Sequence, residues 1–178
     1  MPEEYMGTKF VTSFLGREKQ GCPEMLSFSG KLAQFEDKNN GNFSLRCTKG
    51  FFISSGGSGL GHLKEDDVVL VKDYDAATNT VLAQGPKEPS SESIMHYLIY
   101  QRFPETGAIL HVHDPELLEK DITTTGKEAP YGTPEIAELA LKALNKSSII
   151  NLKAHGTVCI GTTLEECLGK ILNLRRTK

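Results

Sequence analysis

The chain has 178 residues, 38% of them hydrophobic and 24% charged, and carries a formal charge of −3. That length and balance fit one globular domain, residues 1–178, able to bury a core without a disulfide framework. The mild acidity excludes a nucleic-acid backbone as the main partner, and no apolar run approaches the ~20 residues of a membrane span. The four cysteines form no CxxC pair, and Cys159 and Cys167 lie in apolar surroundings, so both read as buried, reduced thiols. The start, Met-Pro-Glu-Glu-Tyr, lacks the basic and apolar stretches of a signal peptide. The expectation is a soluble, cytoplasmic protein.

In chain order, Phe10 to Phe14 and Met25 to Phe35 carry apolar residues at loosely helical spacing, broken by Gly21 and Pro23. Asn39-Asn40-Gly41 is a turn signal. Short strand-like runs follow at Phe43 to Cys47, Phe51 to Ser54, Val68 to Lys72 and Thr80 to Ala83, with a polar turn from Asp73 to Asn79. Ile94, Met95, Leu98 and Ile99 mark a helix over Ser91 to Phe103, and Ala108 to His113 reads as a strand. Asp114 to Gly132 is a polar loop that resists assignment. Thr133 then caps a helix with Pro134 in its first turn, running to about Leu144. Ser148 to Leu152 and Thr157 to Gly161 are strands, and Thr162 with Glu165 forms a capping box for a last helix, Leu164 to about Leu174. Strands outnumber helices and several neighbours can pair as hairpins. The fold class expected is α/β, with helices covering a mainly antiparallel sheet.

His111 and His113 are two apart in an apolar strand, so both imidazoles project from one face while Val112 turns away. Two adjacent imidazoles fill a core poorly, because each brings nitrogens that need partners. They suit zinc, whose catalytic sites use three protein ligands at ~2.0–2.1 Å and keep one position open. Taken alone the pair also fits two hydrogen-bonded histidines. His155 lies between two strand-like runs, and the glycine after it lets the chain turn sharply, yet alone it also fits an ordinary loop histidine. His96 reads as a packed histidine and His62 as a solvated one.

Ser54 to Gly61 is a serine- and glycine-rich turn after a strand, where successive N–H groups can converge on a phosphate or merely flex. Its spacing is not GxGxxG, and no amphipathic helix follows, which excludes a dinucleotide fold. Pro89-Ser90-Ser91-Glu92 stands where a helix begins, so Ser90 and Ser91 can cap that helix or hold an anion there. Glu92 gains an acid–base role only if the fold brings it beside the histidines.

The ordered motifs Gly-Asn-Phe-Ser-Leu-Arg (41–46), Gly-Phe-Phe-Ile-Ser-Ser-Gly (50–56), Pro-Ser-Ser-Glu (89–92) followed by Met-His, His-Val-His (111–113) and His-Gly (155–156) resemble the class II aldolase/adducin family. The resemblance runs from about Gly41 to Cys167. It implies an α/β/α sandwich and a homo-oligomer, with a tetramer favoured. It also implies a small phosphorylated sugar as the partner and one zinc per subunit on His111, His113 and His155. Glu92 matches the family's acid–base glutamate. Asn42, Ser90 and Ser91 match ligands of the substrate phosphate, and Gly56 and Gly57 its phosphate-binding turn. The implied reaction is cleavage of a ketose 1-phosphate to dihydroxyacetone phosphate and an aldehyde through an enediolate. Sugar-phosphate epimerases, methylthioribulose-phosphate dehydratases and a non-catalytic adducin-like binding module are the alternatives on this scaffold. Three departures accompany the match: the stretch 114–132 offers no tyrosine matching the family's proton donor, the family's C-terminal helix has no counterpart after Leu174, and Met1 to Asn40 does not read like the family's first helices.

Overall fold

Alternating apolar residues build one eight-stranded sheet. In a computed structural model describing residues 6–35 and 41–177, the strands are β1 (Val11–Gly16), β2 (Asn42–Cys47), β3 (Gly50–Ser54), β4 (Val68–Asp75), β5 (Thr80–Gln84), β6 (Ala108–Val112), β7 (Ile149–Leu152) and β8 (Gly156–Gly161). Their spatial order is β1-β5-β4-β3-β2-β6-β8-β7. Neighbouring strands pair antiparallel except β1 with β5, which run parallel. The expected start segment and the Asn39-Asn40 turn lie outside the described residues.

The pleat sends successive side chains to opposite faces, and each face has its own core. On one, Phe51, Ile53, Val69, Val71, Ile109 and Val158 pack beneath α2 (Ser93–Arg102) and α4 (Pro134–Leu144). On the other, Phe43, Leu45, Leu110 and Val112 pack against three helices and a 3-10 turn. These are α1 (Pro23–Ser29) with the turn Gly30–Phe35 after it, α3 (Pro115–Leu118) and α5 (Leu164–Arg176). Helices on both faces of a mainly antiparallel sheet make the expected α/β/α sandwich. No helix among the described residues is long and apolar enough to cross a membrane. Cys159 and Cys167 are buried free thiols in the second core.

Several boundaries differ from the sequence reading. Within Phe10 to Phe14, read as helical, the residues from Val11 onward belong to strand β1, whose inward positions are Thr12, Phe14 and Gly16. The four-residue spacing of Phe10 and Phe14 satisfies both periods, and the β-branched Val11 and Thr12 favour the strand. Met25 to Phe35 is not one helix but α1 continued as a 3-10 turn. The Asp73–Asn79 turn starts later, because a bulge at Lys72 carries β4 on to Asp75. Helix α2 begins at Ser93 rather than Ser91. The last helix is capped by Thr163, whose side chain accepts from Glu166 N–H, one residue beyond the expected Thr162 box. Thr133 caps α4 as expected, accepting from Ile136 N–H.

Candidate metal centre and its surroundings

The start of β2, the ends of β3 and β6 and the start of β8 meet at one end of the sheet, because these strands alternate in direction. Asn42 pairs with His111 there, and the β7–β8 turn brings His155 across from them. The ring centroids of His111 and His113 are 4.7 Å apart, those of His113 and His155 4.7 Å, and those of His111 and His155 5.2 Å. One ligand nitrogen from each of the three lies within 4.8 Å of the others. The sharp turn is made by Ala154 at φ +57°, not by Gly156. Gly156 serves a different need: a Cβ there would stand 2.7 Å from His111 Cε1 and 3.0 Å from His113 Cδ2.

Backbone chemistry fixes which nitrogen of His111 faces the cluster. Its Nδ1 lies 3.1 Å from the Thr157 carbonyl, which can only accept, so Nδ1 carries the proton and Nε2 presents a lone pair. That Nε2 is 2.9 Å from His113 Nε2. Burial pushes His111 well below the ordinary imidazole range, against the opposing pull of Glu92. Converging imidazole nitrogens beside a carboxylate are a donor set suited to a divalent ion such as zinc.

Glu92 occupies the residue before α2 and is 3% exposed. Its two oxygens lie 3.4 Å from His111 Nε2 and 3.3 Å from His155 Nε2, and neither accepts a hydrogen bond of normal geometry among the described residues. Burial pushes its carboxyl up, and positive charge held by the surrounding cluster of His111, His155 and His113 pulls it below the usual carboxylate range. Asn42 Oδ1 is likewise buried with no hydrogen-bond partner among the described residues.

The glycine turn is tied to the serine segment. Gly56 N–H donates to Glu88 O at 3.1 Å and Ser90 N–H to Ser54 O at 3.1 Å. Gly57 follows at φ +72° with open space around its Cα, the conformation glycine alone adopts freely. Asp67, buried beneath this turn, accepts from Lys64 N–H at 2.9 Å and binds Lys87 Nζ at 2.6 Å. Ser90 Oγ accepts from Glu92 N–H at 3.3 Å, and Ser93 Oγ donates to Ser90 O at 2.7 Å. Ser90 and Ser91 therefore precede α2, and Ser90 already accepts from the Glu92 and Ser93 N–H groups at its start.

The fold thus gathers Asn42, Gly56, Gly57, Ser90, Ser91, Glu92 and the three histidines around one end of the sheet. His62 is exposed and His96 fully buried, as read from the sequence. The unassigned stretch 114–132 returns to this end, where Gly132 packs on the Ser91 carbonyl and Tyr131 is buried beside it. Thr157 escapes sequence reading altogether, because it acts through its carbonyl, which carries no side-chain signature.

The family description "Class II Aldolase and Adducin N-terminal domain" matches residues 31–119. The chain belongs to the class II aldolase/adducin family. Among its relatives, the L-fuculose phosphate aldolase of Methanococcus vannielii is 32% identical over 146 residues, covering 72% of this chain and 76% of that protein. The methylthioribulose-1-phosphate dehydratase of Methylococcus capsulatus is 39% identical over 77 residues, 43% of this chain and 35% of that enzyme. The crystal structure of L-fuculose-1-phosphate aldolase from Thermus thermophilus superposes with a TM-score of 0.72 at 21% identity, covering 86% of this chain and 88% of that one, which establishes a shared fold. In this class II aldolase/adducin chain the histidines and Glu92 stand at the end of the sheet where β2 and β6 meet.

Proposed function

We propose that the chain, acting as one domain, is a zinc-dependent aldolase that cleaves a ketose 1-phosphate to dihydroxyacetone phosphate and an aldehyde. The observation that carries this reading is the buried Glu92 carboxylate, 3.3–3.4 Å from two of three converging histidines and accepting no hydrogen bond of normal geometry. His111, His113 and His155 would hold the ion, which when bound supplies a Lewis acid for the substrate's carbonyl and hydroxyl oxygens.

The chain's own groups do the rest. Asn42, Gly57, Ser90 and Ser91 bind the phosphate, with Gly56 anchoring the turn and the start of α2 favouring negative charge. Their grip fixes the sugar carbons relative to Glu92. Glu92, held ionised, takes the proton from the carbon next to the carbonyl of dihydroxyacetone phosphate in the addition direction and returns it after cleavage. Its burial excludes bulk water from that proton.

The test is a panel of ketose 1-phosphates offered to the metal-loaded protein, with products analysed for cleavage, epimerisation and dehydration. Aldehyde and dihydroxyacetone phosphate are the expected products. Glu92→Gln should keep the metal and lose at least about a hundredfold of the proton exchange at C3 of dihydroxyacetone phosphate. Dehydration products instead of cleavage would transfer the site to the dehydratase reading, which the shorter match to the methylthioribulose-1-phosphate enzyme supports.

A further inference from the structure

Helix α2 presents an unusual face to the sheet. Glu92, His96 and Tyr100 are four residues apart and share one side of the helix, while Asn42 and Ser44 are two apart on the strand below. His96 is fully buried, stacked near Phe51 at 6.4 Å. Its Nδ1 lies 2.7 Å from Ser44 Oγ, and Ser44 Oγ lies 2.8 Å from the Tyr100 hydroxyl. Three polar groups in an apolar core form one hydrogen-bonded chain.

The direction of that chain can be worked out. Burial lowers His96 to about 4, so the ring is neutral and carries a single N–H. Burial also raises the Tyr100 phenol, so its hydroxyl keeps its proton. Among the described residues, Ser44 is the sole hydrogen-bond partner of the Tyr100 hydroxyl. If Ser44 donated to Tyr100, the Tyr100 proton would be buried with no acceptor, at the full cost of its lost hydration. If Tyr100 donates to Ser44, and Ser44 to His96 Nδ1, every hydroxyl proton is used. The ring proton then sits on Nε2.

That Nε2 is buried without a partner among the described residues, and so are Asn42 Oδ1 and both oxygens of Glu92. One unpaired donor therefore stands in the same buried stripe as three unpaired acceptors. Glu92 precedes His96 by one helical turn, close enough for its charge to act on the ring. We propose that His96 is a positioning residue for Glu92: its Nε2–H, set by Tyr100 and Ser44, donates to the Glu92 carboxylate, directly or across one enclosed water. This holds the carboxylate from the protein side and leaves its other oxygen to face the substrate. The role in catalysis rests on the reading of Glu92 as base; the hydrogen bond itself does not.

Zinc-loaded protein labelled with 15N-histidine tests the bond without any substrate. Long-range 1H–15N spectra should show His96 protonated on Nε2, its signals being identified by their loss in His96→Gln. Ser44→Ala removes the donor to Nδ1 and should raise the population of the Nδ1–H form, and Glu92→Gln should move the Nε2–H proton resonance. A proton on Nδ1 in the unmodified protein, or an Nε2–H resonance indifferent to Glu92→Gln, overturns the proposal. In proton exchange with dihydroxyacetone phosphate, His96→Gln places an amide N–H near the Nε2 position and should retain most of kcat. His96→Asn cannot, and should lose about tenfold in kcat with KM and bound metal unchanged. Equal losses in the two variants count against it. Absence of exchange in the unmodified protein would remove the aldolase reading, while the spectra would still decide the hydrogen bond.

Discussion

Gly156 shows how one missing side chain can let histidine rings converge. A methyl there would stand 2.7 Å from His111 Cε1, 2.8 Å from the Val112 carbonyl and 3.0 Å from His113 Cδ2. The rings can turn aside, but the Val112 carbonyl can yield only if the β6–β8 ladder shifts with it. Gly156→Ala should therefore weaken zinc binding by about 10–100-fold, read by competition with a chromogenic chelator, and also lower stability, read by a denaturation curve. Unchanged affinity would show that the rings need no such clearance. At His96 the same scale governs acid stability. Its folded pKa of about 4 lies below the unfolded value of ~6.5, so in that window the unfolded chain binds the proton and the folded chain does not. The contribution is complete above about pH 6.5 and is lost as pH falls toward the folded value, amounting to a few kcal/mol in order of magnitude. Urea midpoints at about pH 7 and about pH 4.5 should separate less in His96→Gln than in the unmodified chain. Equal separations would take His96 out of the acid response. Spacing made the His111–His113 pair legible in the sequence, and His155 joined it only through the ordered family motifs. The ring tautomer of His111 was not, because a carbonyl of β8 decides it.

Among the elements, α2 carries the site, and both its ends are fixed by neighbours distant in sequence. At its start, Gly132 sits at φ +67° with room for no Cβ, since one would lie 2.8 Å from the Ser91 carbonyl. Gly132→Ala should lower stability by roughly 1–3 kcal/mol, through the strained φ and the displaced serine segment. It should also raise KM for the phosphorylated substrate more than it lowers kcat, and steady-state kinetics with a parallel denaturation curve would check both. At its end, Arg46 from β2 donates to the carbonyls of Tyr100 at 2.8 Å and Phe103 at 3.2 Å, closing the last turn. The helix itself was visible in the spacing of Ile94, Met95 and Ile99. Its start was misplaced by two residues because Ser90 and Ser91 look like caps, and the capping bonds run instead among Ser90, Glu92 and Ser93. Strand β1 was misread for a related reason: an edge strand of six residues has too few positions to separate a period of two from one of 3.6.

For the molecule as a whole, the three histidines stand at the end of β6 and the start of its neighbour β8, so an ion held by them should be felt as global stability. Any ion bound by the folded chain alone adds about 2.7 kcal/mol when free metal exceeds its Kd a hundredfold. Thermal unfolding with zinc and with chelator should thus show a higher Tm in zinc, and His113→Ala should abolish the difference. A Tm indifferent to metal in the unmodified protein would remove the ion from the folded state. What the sequence alone determined was local: alternation, caps, the paired histidines and the ordered motifs that mark the class II aldolase/adducin family. The meeting of Glu92 with His111 and His155, the clearance at Gly156 and the stripe from Tyr100 through Ser44 to His96 belong to tertiary structure. Each depends on the packing of α2 across β2 and β6 and on the turn between β7 and β8. Residues such as Asn42 and His111, 69 positions apart, become neighbours there, and no window along the chain can report a distance of that kind.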